Sequence, residues 1–226
     1  MALICNKLSA VLSAVSLFCI MLQNYTKLFI HRSVLIPVPG KNAPEFINTL
    51  STVKKLRKWL KAVYEGSFSQ VLEIGSEHPF WDIFLTQHHH IIAGGGWVKN
   101  ASGELLIIER NGKIDMPKGK LDPDETIETC AVREVKEECR VKRLKITGPA
   151  VKTYHCYPYK GDYALKTTFW YPMTTEYEKK LKPQIEEGIT AVYWATPEML
   201  RERMEVMPVY NSLEDELRRF ARYSEE

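Results

Sequence analysis

The stretch "GKLDPDETIETCAVREVKEECRV", residues 119–141, gathers five glutamates and two aspartates around a short apolar repeat, in a chain whose formal net charge is +3. Ile127, Ala131 and Val135 recur every four residues with Cys130 beside them, which predicts a helix with one inward-packing face. Glu134, Glu137 and Glu138 stand at i, i+3 and i+4, so their carboxylates crowd a neighbouring face. Like charges at those spacings cost an isolated helix roughly a few tenths of a kcal/mol per pair. A divalent cation reverses that sign, and oxygen-only donors favour a hard ion, Mg²⁺ or Mn²⁺. A solvated face with Arg133, Lys136 and Arg140 as partners accounts for the spacing equally well. Two helix entries are open: Asp122 as cap with Pro123 and Glu125 behind it, or Thr126 as cap with Glu125 in the loop.

What lies upstream separates the cation site from the solvated face. "ERNGKIDMPKGK", residues 109–120, sets Arg110, Lys113, Lys118 and Lys120 against Asp115. Cations for phosphate oxygens, leading directly into carboxylates for a divalent ion, are what polyphosphate chemistry requires.

These residues resemble the box of the Nudix hydrolases, G-x5-E-x7-R-E-U-x-E-E-x-G-U with U a bulky aliphatic. Gly119, Glu125, Arg133, Glu134, Val135, Glu137, Glu138 and Val141 match it, and Arg140 stands where the second glycine belongs. That glycine follows the helix in a left-handed conformation that costs a non-glycine residue about 1 kcal/mol, so a different helix exit is expected. The resemblance implies that Glu134, Glu137 and Glu138 bind Mg²⁺ (or Mn²⁺) and take part in catalysis. It implies that Arg133 makes a structural salt bridge with Glu125. It further implies that the Gly119 carbonyl approaches the metal, or that the chain simply turns there.

The implied reaction is hydrolysis of a nucleoside diphosphate linked to a moiety X. "MPKGKL" looks like the branch acting on diadenosine or diphosphoinositol polyphosphates, with Lys118, Lys120, Arg110 and Lys166 toward the phosphates. A tryptophan common in that branch is Ile114 here. Glu186 and Glu187 in "PQIEEGI" are the candidates for a remote general base. A catalytically weak nucleotide sensor of the same fold is the rival, and it predicts eroded metal carboxylates.

Working outward, 226 residues at 45% hydrophobic and 26% charged describe an ordinary globular chain, and a pI near 8.5 does not argue for nucleic acid. Five widely spaced cysteines with no C-x-x-C pair suggest neither zinc nor a disulfide framework. The expected class is α/β, a Nudix-type α/β/α sandwich around a mixed sheet, carrying a small N-terminal α+β unit. The expected divisions are an apolar extension over 1–21, the α+β unit over 22–87 and the hydrolase domain over 88–226. Residues 8–22 form an apolar run too short for a span; a start at Met21 competes with export or anchoring through 1–21. The expectation is therefore cytoplasmic, with anchoring as the alternative, no nucleic acid partner, a small phosphoanhydride substrate and a possible homodimer.

In the N-terminal unit one extended segment is expected over 25–38. One helix is expected over 43–65, with Phe46, Leu50, Val53, Leu56, Leu60 and Val63 as its apolar stripe and lysines elsewhere. His88–His90 read as linker, since adjacent side chains on an extended chain diverge. The Gly94–Gly96 run marks a bulge or a close backbone approach.

Overall fold

The computed structural model describes residues 27–67 and 69–222; the 8–22 run and the alternative start at Met21 lie outside them. The chain divides into two compact units, one holding the residues up to Ile91 together with Tyr154–Lys166, the other holding Ile92–Thr153 and Thr167–Glu226.

In the first unit β1 (Leu28–Ile30) and β2 (Ser33–Val38) form an antiparallel pair, Leu28 opposite Leu35. The single segment expected over 25–38 is therefore a hairpin. His31 takes φ 51° at its turn, where no Gly or Asn announces the bend. Strand β3 (Val71–Gly75) runs parallel to β2, Val34 opposite Val71. The expected helix over 43–65 is two: α1 (Glu45–Asn48) and α2 (Val53–Tyr64). Thr52 separates them, because its hydroxyl caps the Lys55 N–H and starts a new helix there. The apolar stripe shifts accordingly: Trp59 is buried with Leu56, Leu60 and Val63, while Phe46 and Val53 are exposed.

Helix α3 (Phe80–Thr86) completes the cover, and Phe80, Trp81 and Phe84 join Leu28, Ile30 and Leu35 in the core. His88 is not linker: it is buried, with Nδ1 2.7 Å from the Phe84 carbonyl, and His89 already begins β4 (His89–Lys99).

The second unit takes β4 from Ile92 onward, with β5 (Leu105–Arg110), β6 (Lys113–Asp115) and β7 (Lys118–Lys120). Helix α4 (Ile127–Cys139) leads to β8 (Lys145–Ile146). Strands β9 (Val151–Tyr159) and β10 (Asp162–Thr174) give their inner ends, Tyr154–Tyr159 and Asp162–Lys166, to the first unit. Strand β11 (Ile189–Ala195) pairs antiparallel with β5, and α5 (Pro197–Val206) and α6 (Asn211–Arg222) close the chain. Parallel and antiparallel pairings both occur, as a mixed sheet requires.

The run "LLII" in β5 is buried on both faces, and alternation decides which core each side chain enters. Leu105 and Ile107 pack with Leu200, Leu213, Leu217 and Phe220 of α5 and α6. Leu106 and Ile108 pack with Ala131, Val135 and Cys139 of α4. This is an α/β/α sandwich.

Candidate active site

Three glycines fix how α4 meets the sheet. A Cβ on Gly94 would fall 2.7 Å from the Ala131 backbone nitrogen, and one on Gly96 would fall 2.6 Å from Val135 Cγ2. The run is thus a close backbone approach, one of the two readings of the sequence. Gly94 and Gly95 pair across the ladder with Gly119 and Lys118 of β7, which brings the start of the acidic stretch beneath the helix. Gly119 itself is extended strand, so the chain does not turn there. A side chain at 119 would collide with the Glu134 carboxylate, and only glycine leaves room for it.

Thr126 resolves the open helix entry: its Oγ1 accepts from the Thr129 N–H at 3.2 Å. At the other end Arg140 adopts φ 60°, ψ 18° and donates its N–H to the Lys136 carbonyl at 2.9 Å. The helix exit expected to differ is kept; arginine occupies the left-handed position itself.

Arg133 organises the acidic face. Its Nε and Nη2 donate to Glu125 Oε1 and Oε2 at 2.9 and 2.8 Å, a bidentate pair that ties the entry loop to the helix. Nη1 reaches Glu134 at 2.7 Å and Glu137 at 3.2 Å, and Nη2 donates to the Lys120 carbonyl at 3.1 Å. Glu138 points the other way and is 1% exposed; its Oε2 accepts the Lys118 backbone N–H at 2.8 Å and its Oε1 lies 3.4 Å from Arg110. Burial pushes its carboxyl up to about 7 against the pull of Lys118 and Arg110, and burial also raises Glu134. Among the described residues no three acidic, His or Cys side chains converge as a ready cation cage; Arg133 holds Glu134 and Glu137 instead.

Of the remaining expected site residues, Arg110 bridges Glu138 and Glu187, the latter at 2.8 Å from a short 3₁₀ turn, Ile185–Glu187. Glu186 is exposed on the same turn. Lys120 is exposed at the end of β7. Lys118 directs its ammonium to buried Asp115 at 2.6 Å, and Lys166 belongs to the first unit. Sequence reasoning did not find Asp115 as the partner of Lys118 and of the Met116 N–H, nor the Tyr171 hydroxyl that donates to Glu128 at 2.7 Å. Tyr171 is 43 residues from Glu128, and no local pattern announces such a pair.

A family model described as the NUDIX domain matches residues 88–215, more than half of the chain. The chain belongs to the Nudix family. As a Nudix protein it is a hydrolase of phosphoanhydride bonds, in a family that generally uses divalent cations. Solved structures similar to this Nudix chain include a Caenorhabditis elegans Ap4A hydrolase in a binary complex, 20% identical, covering 60% of this chain and 98% of the other at a TM-score of 0.46. A MutT protein from Methanosarcina mazei is 19% identical, covering 62% and 99% at 0.43. The Escherichia coli dihydroneopterin triphosphate pyrophosphohydrolase is 14% identical, covering 57% and 94% at 0.43.

Proposed function

We propose that this Nudix hydrolase, supported by Mg²⁺ or Mn²⁺, cleaves the phosphoanhydride of a nucleoside diphosphate linked to X, and that dinucleoside polyphosphates are favoured over diphosphoinositol polyphosphates. The complete set of box carboxylates on one helix, Glu134, Glu137 and Glu138, carries the reading. The donors are all oxygen, which suits a hard cation. Burial raises the pKa of two of them, Glu134 and Glu138, against the pull of neighbouring cations, and a bound divalent ion would favour their charged forms. Glu134, Glu137 and Glu138, with the Gly119 carbonyl, would hold the ion; when bound, such an ion neutralises charge on the leaving phosphate and lowers the pKa of water. Arg133 keeps Glu125 and the entry loop in place. Arg110 and Lys120 offer positive charge to the phosphate oxygens, and Glu187 or Glu186 is the candidate to take a proton from water.

For X, the useful feature is an apolar cavity of about 230 Å³ in the same unit, lined by Trp97, Met116, Thr153, Trp170, Leu213 and Glu216 among others. Met116 is two residues from Lys118, and a Cβ on Gly95 would meet both Lys118 and the Trp170 ring at 2.7 Å, so this cavity lies near Lys118, on the face of the sheet that α5 and α6 cover. Indoles on an apolar floor suit a flat base and offer little to a polyphosphorylated inositol. The sensor reading predicts eroded carboxylates, and all three are present.

The test is release of phosphate-containing product from diadenosine polyphosphates, nucleoside diphosphate sugars, ADP-ribose and diphosphoinositol polyphosphates, with Mg²⁺, Mn²⁺ or chelator. Metal-dependent cleavage of diadenosine polyphosphates is expected. Cleavage of the inositol compounds alone would overturn the nucleoside assignment, and tight binding without any cleavage would favour the sensor.

A further inference from the structure

The geometry points to helix α2 as a contact for a membrane surface that carries anionic headgroups. Lys54, Arg57, Lys58 and Lys61 stand at i, i+3, i+4 and i+7, so they form one stripe, all exposed, with exposed Lys55 at its flank. The opposite face, Leu56, Trp59, Leu60 and Val63, is buried. The helix holds no acidic residue. Arg57 pairs with Asp162 and Lys61 with Glu65 at 3.7 Å, whereas Lys54, Lys55 and Lys58 pair with no carboxylate among the described residues. Like charges at these spacings repel, and an external anion would relieve them.

Apolar groups lie at the same end of the unit. Strands β2 and β3 are parallel, so the helix between them runs against both; β1 is antiparallel to β2 and therefore runs with α2. The far ends agree with this, since a Cβ on Gly66, just past α2, would lie 3.2 Å from the His31 ring just past β1. Lys27, where the chain enters β1, thus shares an end with Thr52 and the first lysines. Val53 there is 45% exposed and Phe46 of α1 is 36% exposed. Basic charge beside apolar residues is the two-part signal of attachment to anionic lipid. A nucleic acid backbone would use the lysines but leave exposed Val53 and Phe46 without a role.

Cosedimentation of the full chain with phosphatidylcholine vesicles, with and without phosphatidylserine, tests the inference. Binding to the phosphatidylserine vesicles is expected, weakening as salt is raised. The K54E/K55E/K58E variant should lose roughly fivefold per lysine removed, about a hundredfold or more in all, while K54R/K55R/K58R binds as wild type. All three proteins should show the same circular dichroism melt and the same hydrolysis in solution. Absence of binding to phosphatidylserine vesicles, or equal binding by the Glu variant, would overturn the inference. Binding to single-stranded DNA in place of vesicles, with the same lysine dependence, would also overturn it.

Discussion

Glu137 differs from its two neighbours in exposure: half of its side chain is open to water, against 13% for Glu134 and 2% for Glu138. Its one described ion pair is with Arg133. Glu137→Gln therefore removes a charge from a repulsive cluster and vacates little packing. The expected outcome is a fall in kcat on the order of 10²-fold or more, the scale of losing one electrostatic stabiliser, with a urea midpoint close to wild type. Equal activity in variant and wild type would sink the cation assignment. Arg140 carries a second prediction. In the left-handed region arginine costs about 1 kcal/mol relative to glycine, so Arg140→Gly should raise stability by about that amount in urea unfolding and leave kcat unchanged. The departure from the box is plain in the sequence; that the backbone keeps its left-handed exit despite the arginine is not, because the demand comes from the chain that follows.

The element that decides the site is the pair of β7 and α4, packed with main chain nearly touching side-chain carboxylate. Gly119→Ala puts a methyl where Glu134 now lies. A displaced carboxylate should cost on the order of 10²-fold in kcat, as small misplacements of reacting groups do, and the melting temperature should fall with it. An alanine variant of full activity would show that Glu134 stands elsewhere in the working enzyme. Legibility follows the same physics. Glu134, Glu137, Glu138, Arg133 and Glu125 are readable because helix periodicity and a short loop place them by local rules. The break between α1 and α2 is hidden because Thr52 interrupts an apolar stripe that continues in sequence but slips in phase, bringing Trp59 inward in place of Val53. Lys118 reads as a phosphate ligand because the burial of Asp115, three residues away, is set by long-range packing and does not show in the local sequence.

Across the molecule, acid sensitivity is expected to arise far along the chain from the box, at His88. Its Nδ1 is satisfied by Phe84, and its buried Nε2 meets no partner among the described residues. Burial holds its pKa down to about 4, with His89 and His90 adding to the depression and Asp162 opposing it. The unfolded chain takes up this proton near the ordinary value of about 6.5, the folded chain only near 4. Stability is therefore full above about pH 6.5 and is lost as pH falls from there to about 4, by roughly 3 kcal/mol. His88→Leu should flatten that part of a stability–pH curve; a parallel curve would refute the assignment.

The division of the chain bears on how it could ever be cut. Strand β1 finds its parallel neighbour in Tyr154–Cys156, which arrive more than a hundred residues later. An excision at residue 88, the boundary that the sequence pattern suggests, would take β1 away from that edge. It would also bare Tyr154, Cys156 and Leu165, all now buried. A fragment beginning there would carry the whole catalytic box yet present an unpaired, apolar strand edge of the kind that drives aggregation. Precipitation of such a fragment would therefore follow from its severed topology and would say nothing about the chemistry it retains.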